Sequence, residues 1–413
     1  MRIAVVGSGV SGLVAAALLH PAHEITVFEA DDRVGGHVHT HRVAAADGEW
    51  NVDSGFIVFN ERNYPELCRI FARLGVETRA SDMSFSVQEE ATGLEWNGTG
   101  LGDVFAQRRN LLRPSFLRML TEILRFHREA LALVDSVDEI PLGRWLDERR
   151  FSAEFAGRYL VPMCSALWSA DPDRIREFPA RTTARFFHNH GMLAVEGRPQ
   201  WRTVVGGSAR YVERLSAPFR DRIRTSCPVT GIRRLRDGVR VAAGGGPPAE
   251  FDEVVLAVHA DQALGMLEDP SDAEREILGA IPFQENAALL HTDASILPRS
   301  LRARAAWNAF IPREGRGRAT VTYDMNRLQG LAAREAYCVS LNREADVDPS
   351  RVLARMTYHH PLFSTGSAAA QRLRDEVSGV RHTWYCGAWW GWGFHEDGVR
   401  SALDVVERLG RPR

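Results

Sequence analysis

Gly7, Gly9, Gly12 and Glu29, near the start of the chain, stand in a spacing that could hold a dinucleotide. Within "GSGVSG", Gly7 permits a tight turn out of a strand and Gly9 lets backbone approach a pyrophosphate. Gly12 lets helix and strand pack closely. Val10 and Ser11 open the following helix, whose unpaired N–H groups and positive dipole end favour phosphates. Glu29, followed by Ala30, can hold both ribose hydroxyls of an adenosine. One kind of chemistry is excluded. All 51 basic residues are arginine, so no lysine Schiff base, lysine general base or lysine-held water can form.

The elements that would position these residues can be read directly. "RIAVV" (2–6) is a short apolar run rich in β-branched residues, as a buried parallel strand should be. Helix formers then run to Leu19, and His20-Pro21 closes them because proline cannot continue a helix. "EITVF" (24–28) is the next strand, with Glu29 at its carboxyl end. A Met-Arg start before an apolar run also has the look of a signal peptide, but the second strand and its terminal acid fit a nucleotide-binding unit instead.

The 413 residues suffice for two domains, and 45% apolar with 25% charged residues is ordinary for a globular enzyme. A net charge of −2 gives no bulk field that would draw nucleic acid. No apolar run is long enough for a transmembrane helix. The five cysteines lack CxxC pairing, which argues against a zinc site or a disulfide framework. The expected location is a reducing cytoplasm, with peripheral contact at a membrane surface considered below.

"ADDRVGGH" (30–37) narrows the dinucleotide. A glutamate followed by Arg-x-Gly-Gly, here Glu29, Arg33, Gly35 and Gly36, resembles the motif of the superfamily of flavin-containing amine oxidases, phytoene desaturases and protoporphyrinogen oxidase. The resemblance implies noncovalent FAD. His37 replaces the residue usual after the glycine pair and could approach the flavin. "WNVDSGFIVFN" (50–60) is similar to the segment that passes the flavin, which places Gly55 and Phe56 there. In "PQWRTVVGGSARYV", the pair Gly206-Gly207 resembles the segment returning the chain to the flavin, and Val229 falls where backbone meets adenine. "YCGAWWGWGFHEDG" resembles the C-terminal flavin motif. Carried over, Gly387 and Ala388 are contacts, Glu396 and Asp397 precede the helix, and Gly398 marks its start. Ala388 stands where glutamate is usual.

The fold implied is α/β: a discontinuous Rossmann-like FAD-binding domain (1–80, 199–279, 376–413) with an inserted mixed α+β substrate domain (81–198, 280–375). Arginine-studded helix over 108–134 and strands around "AAWNAFI", "RATVTYDM" and "AYCVSLN" belong to the insert. His395 is the candidate acid–base group, able to titrate near neutrality and take the proton that accompanies hydride transfer. Tyr323 is the candidate pocket residue, with Asn326, Asn308 and Arg202 behind it. Trp389, Trp390, Trp392 and Phe394 could form an aromatic cage or the wall of an acyl tunnel. Among the superfamily's branches the chain looks most like bacterial NAD/FAD-binding proteins. Those often neighbour cyclopropane-fatty-acid-synthase-like methyltransferases, and some are tied to desaturating methylated acyl chains.

The expectation is therefore hydride transfer from an apolar or acyl-lipid substrate to flavin N5, without nucleic acid. Two alternatives stay open: an amine oxidase, and a non-catalytic flavoprotein partner of a lipid methyltransferase. The arginines and leucines of 108–134 could also touch a bilayer. Amine oxidases of the superfamily commonly hold a water near N5 with a lysine; without one, slow reaction of the reduced cofactor with oxygen is expected.

Overall fold

A computed structural model describes residues 1–136, 139–194, 197–313 and 317–410. Its first sheet is five-stranded and parallel, in the order Ile223–Arg224, Glu24–Phe28, Arg2–Val6, Glu253–Leu256, Thr383–Tyr385. Period-2 alternation sends Ile3 and Val5 to one face and Ala4 and Val6 to the other, and apolar side chains bury both. Helices Val10–Leu19 and His395–Leu409 cover the first face through Leu13, Val399 and Ala402. A small antiparallel sheet (Val229–Leu235, Gly238–Ala243, Ala249–Phe251) and helices Ala260–Met266 and Asp272–Gly279 cover the second. The strand expected over 253–258 stops at Leu256. Ala257, Val258 and His259 instead form a loop at the sheet's carboxyl edge.

The second layer is a seven-stranded mixed sheet. Its order is Val352–Pro361, Phe283–His291, Cys338–Leu341, Val321–Asp324, Trp307–Ile311, Phe85–Glu89, Leu94–Asn97. A helical unit packs beside it. Helix Pro114–Val134 buries Phe116, Met119, Phe126 and Ala130 along one stripe against helix Ala180–Asn189. The helix expected from 108 begins only at Pro114, after a 3₁₀ turn over Arg108–Leu112. A residue before proline is pushed out of the α region, and Arg113 is extended. No helix of the described residues is long and apolar enough to cross a membrane. All five cysteines are free, and the described residues hold no group of three or more His, Cys, Asp or Glu arranged for a metal.

One buried carboxylate ties the two layers together. Asp53 is fully buried and accepts hydrogen bonds from the Ser208 N–H (3.0 Å), the Ser208 hydroxyl (2.8 Å), the Thr40 hydroxyl and the Gln329 amide (3.0 Å). Its own N–H donates to the Gln329 carbonyl oxygen at 2.9 Å. Thr40 opens the strand Thr40–Ala45, which pairs with the strand ending at Asp53, Ser208 precedes helix Ala209–Ser216, and Gln329 ends the short helix Met325–Gln329 that follows the strand Val321–Asp324. Asp53→Ala strands several buried donors at once. A loss of about 3 kcal/mol in urea unfolding is expected, and Asp53→Asn should recover part of it.

Candidate cofactor and substrate cavity

A continuous cavity of about 1060 Å³ runs from the carboxyl edge of the parallel sheet to the seven-stranded sheet. Its nucleotide half is built from the opening strand, turn and helix. Gly7 sits at φ +97°, and a Cβ there would lie 2.6 Å from the Ala257 carbonyl oxygen, so only glycine fits. Gly9 is different: its φ is −68°, and an added Cβ would meet no protein atom within 4 Å. Nothing in the chain requires glycine at 9. The space a side chain would fill is the cavity itself, against a ten-residue helix whose N-terminus has no side-chain cap. Bare N–H groups and a positive dipole end facing an open cradle fit a pyrophosphate.

Glu29 lines the same half. Its carboxylate accepts from the Ser8 N–H (2.8 Å), the Ser8 hydroxyl and the Asp31 N–H (3.0 Å), which aims it at the adenosine end. Arg33 braces the glycine turn, donating to the carbonyl oxygens of Gly36 (2.8 Å) and Val38 (3.1 Å). Ala30, Gly35, Gly36, His37, Gly55, Phe56, Val229, Gly387 and Ala388 line the cavity with Val10 and Ser11.

Other expected contacts fall elsewhere. Gly12 lies beneath the cradle and does not line it; a Cβ there would sit 1.9 Å from the Gly7 carbonyl oxygen, in keeping with the helix–strand packing expected of it. Gly398 is likewise a packing position, because a Cβ there would press on Val10 and the Ser11 hydroxyl. The C-terminal helix starts at His395, not Gly398. Glu396 turns away and caps another helix, accepting from the N–H groups of Glu66 and Leu67 at 3.0 Å each. Asp397 caps its own helix, accepting from the N–H groups of Trp392 and Phe394 at 3.0 Å each. Asn308, Asn326 and Arg202 bond neighbouring backbone and hydroxyl groups outside the cavity. Trp389 and Phe394 line it, while Trp390 and Trp392 pack behind.

Where the two halves meet, imidazoles crowd together. His37 stacks on Tyr358 at 5.2 Å and meets His360 edge-on at 5.3 Å, while His259 stacks on Phe283 at 4.3 Å. Burial, then the neighbouring imidazoles and Arg33, hold His37 down to about 3. Burial and His37 bring His360 to about 3, and burial and its histidine neighbours bring His259 to about 4. His395 stacks on Phe56 at 3.7 Å, and burial brings it to about 3. It is therefore neutral at physiological pH, which corrects the expectation of titration near neutrality. The Nε2 atoms of His37 and His395 are both buried without a partner, polar positions that a ligand would satisfy. Tyr323 lines the cavity, but its hydroxyl donates to the Ala166 carbonyl oxygen (3.2 Å) and burial raises its pKa, so it is a wall rather than an acid.

Tyr358 is the group with a route outward. Its hydroxyl meets the Ser54 hydroxyl at 2.7 Å, which meets His41 Nε2 at 2.8 Å, on a half-exposed ring tilted against His39 at 4.0 Å. Tyr358 and its neighbours His359 and His360 were not expected at the site. Their strand carries no glycine motif, and their role follows from the sheet that brings them there.

The far half of the cavity is walled by Met83, Phe85, Trp96, Met163, Phe186 and Trp307, among others. Arg198 also lines it, and among the described residues no carboxylate pairs with it. Asp82 is exposed there, accepts from the Ser84 N–H (2.9 Å) and faces Arg327 at 3.7 Å.

The chain matches the family model described as flavin containing amine oxidoreductase over residues 10–322. It belongs to this family. A putative flavin-containing monoamine oxidase AofH of Mycobacterium tuberculosis is 27% identical over 65% of this chain and 59% of its own length. The chain thus spans about three fifths of that relative. The carotenoid phi-ring synthase of Streptomyces griseus is 29% identical over 92% of this chain and 76% of its own. Among solved structures, cyclohexylamine oxidase from Brevibacterium oxydans IH-35A superposes with a TM-score of 0.70 at 18% identity, over 99% of both chains. A CLA-producing fatty acid isomerase from P. acnes superposes with a TM-score of 0.71 at 17% identity, also over 99% of both. These structures share the fold. The family is flavin-containing, and the cradle, Glu29 and the unpartnered imidazoles fit FAD as its cofactor.

Two outcomes test this site. Gly9→Val should abolish FAD retention on gel filtration while leaving the far-UV circular dichroism unchanged, because the new side chain meets open cradle rather than protein. Full FAD occupancy would place the phosphates elsewhere. The second concerns pH. His190 and His291 are also held down to about 4, mainly by burial. Unfolded imidazoles take protons near 6.5, so below that the unfolded chain binds more protons than the folded one. The stability is present above about 6.5 and is lost as pH falls toward 4. Asp53 and Asp397, raised to about 6 by burial, act in the opposite sense but are fewer. The melting temperature should fall steadily from pH 7.5 to 5; a flat or rising profile would contradict the neutral imidazole cluster.

Proposed function

We propose that this chain is an FAD-dependent dehydrogenase whose substrate is a long apolar molecule with an anionic end, a fatty acyl chain, which it desaturates at a C–C bond. The observation that carries the reading is the charge pattern of the far half of the cavity. Its walls are apolar, and at its exposed rim Arg198 has no carboxylate partner among the described residues, whereas Asp82, the one acid described there, faces Arg327. A substrate ammonium would find no free counter-ion there, whereas a carboxylate would find Arg198. Relatives named for a carotenoid and a fatty acid, beside those named for amines, support an apolar substrate.

Bound FAD supplies a hydride acceptor. The chain's own residues do the rest. The apolar walls exclude water and align the acyl chain, while Arg198 holds its charged end. The proton lost from the neighbouring carbon passes to Tyr358 Oη, and Tyr358 passes its own through Ser54 Oγ to His41 Nε2 and solvent. His37, His259, His360 and His395 stay neutral and offer hydrogen bonds without adding charge.

Mixing yellow holoprotein anaerobically with saturated or methyl-branched fatty acids, and separately with primary amines, tests the reading. Acids should bleach the flavin band and amines should not. Arg198→Ala should raise KM for the acid about tenfold with little change in kcat, the loss of one charge-assisted hydrogen bond. With no lysine in the chain, photoreduced protein should reoxidise slowly in air. Rapid bleaching by amines with stoichiometric peroxide would put amine oxidation first, and bleaching by neither class would favour a non-catalytic partner.

A further inference from the structure

We infer that the outer face of helix Pro114–Val134 and the segment before it form a docking surface for an anionic lipid bilayer. Six of the eleven exposed large hydrophobic residues among those described fall between 101 and 131: Leu101 (83% exposed), Leu111, Leu112 (87%), Leu117, Leu124 and Leu131. The last three follow a seven-residue step, so they lie along one stripe of the helix, opposite the buried Phe116, Met119 and Phe126. Leu301, also exposed, extends the face. The N–H groups of Arg299 and Ser300 donate to Glu95 at 2.9 Å each, which pins that loop to the strand leading into Leu101.

The charges around these leucines select the partner. Between 101 and 134 the acids are Asp103, Glu122 and Glu129, none of them exposed, and the exposed Asp135 lies just past the helix end. Glu122 points inward to Ser152, and Glu129 takes Arg125. Arg108, Arg113 and Arg128 have no carboxylate partner among the described residues. Leucines ringed by free arginines suit the interface of an anionic membrane, where each arginine adds about fivefold to binding. A second copy of the chain is a poorer occupant. A coiled-coil seam needs apolar residues at the alternate heptad positions too: in one register these are Pro114, Thr121 and Arg128, and in the other Leu120, His127 and Val134, of which Leu120 and Val134 pack on the helical core and His127 is buried.

The surface stands one helix away from the cavity. Phe116, on the inner side of this helix, meets Trp96 edge-on at 6.2 Å, and Trp96, Gly98 and Thr99 line the cavity just before Leu101. Docking here would set the far half of the cavity over the lipid. The acyl-substrate reading explains why that placement is useful, but the docking itself requires no turnover.

The experiment is sedimentation of yellow holoprotein with vesicles of phosphatidylcholine alone or containing about a third phosphatidylglycerol. Wild type should co-sediment with the anionic vesicles, more weakly as salt is raised. Leu112→Ser with Leu124→Ser should cut partitioning at least tenfold on both compositions. Arg113→Gln with Arg128→Gln should cut it only on anionic vesicles. Bound FAD and an unchanged melting temperature show that the variants are folded. Absent binding by wild type, or equal binding by the leucine variant, overturns the inference. So does a homodimer in analytical ultracentrifugation that the leucine substitutions dissociate. Vesicle binding is read without substrate, so a failure of acyl oxidation leaves this result standing, and the reverse holds.

Discussion

A helix that begins without a side-chain cap leaves its first N–H groups unsatisfied, and the fold must either hide them or give them an anion. Here helix Val10–Leu19 starts bare at the carboxyl edge of the parallel sheet, and its surroundings keep it bare. Gly7 folds the chain back beneath it, and Gly36 crosses so closely that a Cβ would lie 3.0 Å from Gly9 Cα. The C-terminal helix packs against its flank through Gly398. Glu29, which could have reached for a free N–H, is instead held by Ser8 and Asp31. Local polar groups bond one another, and the helix end is left for the pyrophosphate.

The same economy governs charge deeper in. Arg33 is the cation nearest the glycine turn, yet its guanidinium bonds two carbonyl oxygens rather than facing open space. The polar groups that do face the junction of the two halves are imidazoles, which burial and their mutual proximity keep neutral. A neutral imidazole can donate or accept a hydrogen bond without the desolvation cost of a buried ion. Arginine cannot do this, since it is always charged. Histidine therefore joins the hydroxyls of Tyr358 and Ser54 in a polar, uncharged cavity wall.

The parts legible in the sequence are those whose function constrains local backbone. Gly7, Gly9, Glu29, Arg33 and the glycine pair after it show as a motif because a tight turn and an open cradle at a strand's carboxyl end leave few residue types that fit. Strands 2–6 and 24–28 were read to the residue, since a buried parallel strand bounded by glycine and an acid has few alternatives. The two longest strands, Phe283–His291 and Val352–Pro361, gave no comparable signal. The second alternates polar and apolar residues beside solvent, and its pairing spans many intervening residues. Tyr358, His359 and His360 ride on that strand, so the polar junction could not be located without the sheet. Glu396 and Asp397 were misplaced for a related reason. A motif fixes the path of a loop, but a buried carboxylate goes to whichever N–H groups tertiary packing leaves open, here those of Glu66 and Leu67 and of Trp392 and Phe394.

The shape of the far half does not separate an amine from an acid, because methionine and aromatic walls accept any slender apolar body. Charge does. Moving an ion from water into such a chamber costs several kcal/mol unless a partner waits inside. Asp82 is exposed, faces Arg327 and accepts a backbone hydrogen bond, so drawing it to an ammonium would disrupt contacts already made. Arg198, exposed as well, donates to the Ala194 carbonyl oxygen at 3.1 Å but has no carboxylate partner to give up among the described residues. On the proposed reading an arriving carboxylate would gain an interaction without breaking another, and the charge at the rim, not the apolar walls, would select for sign.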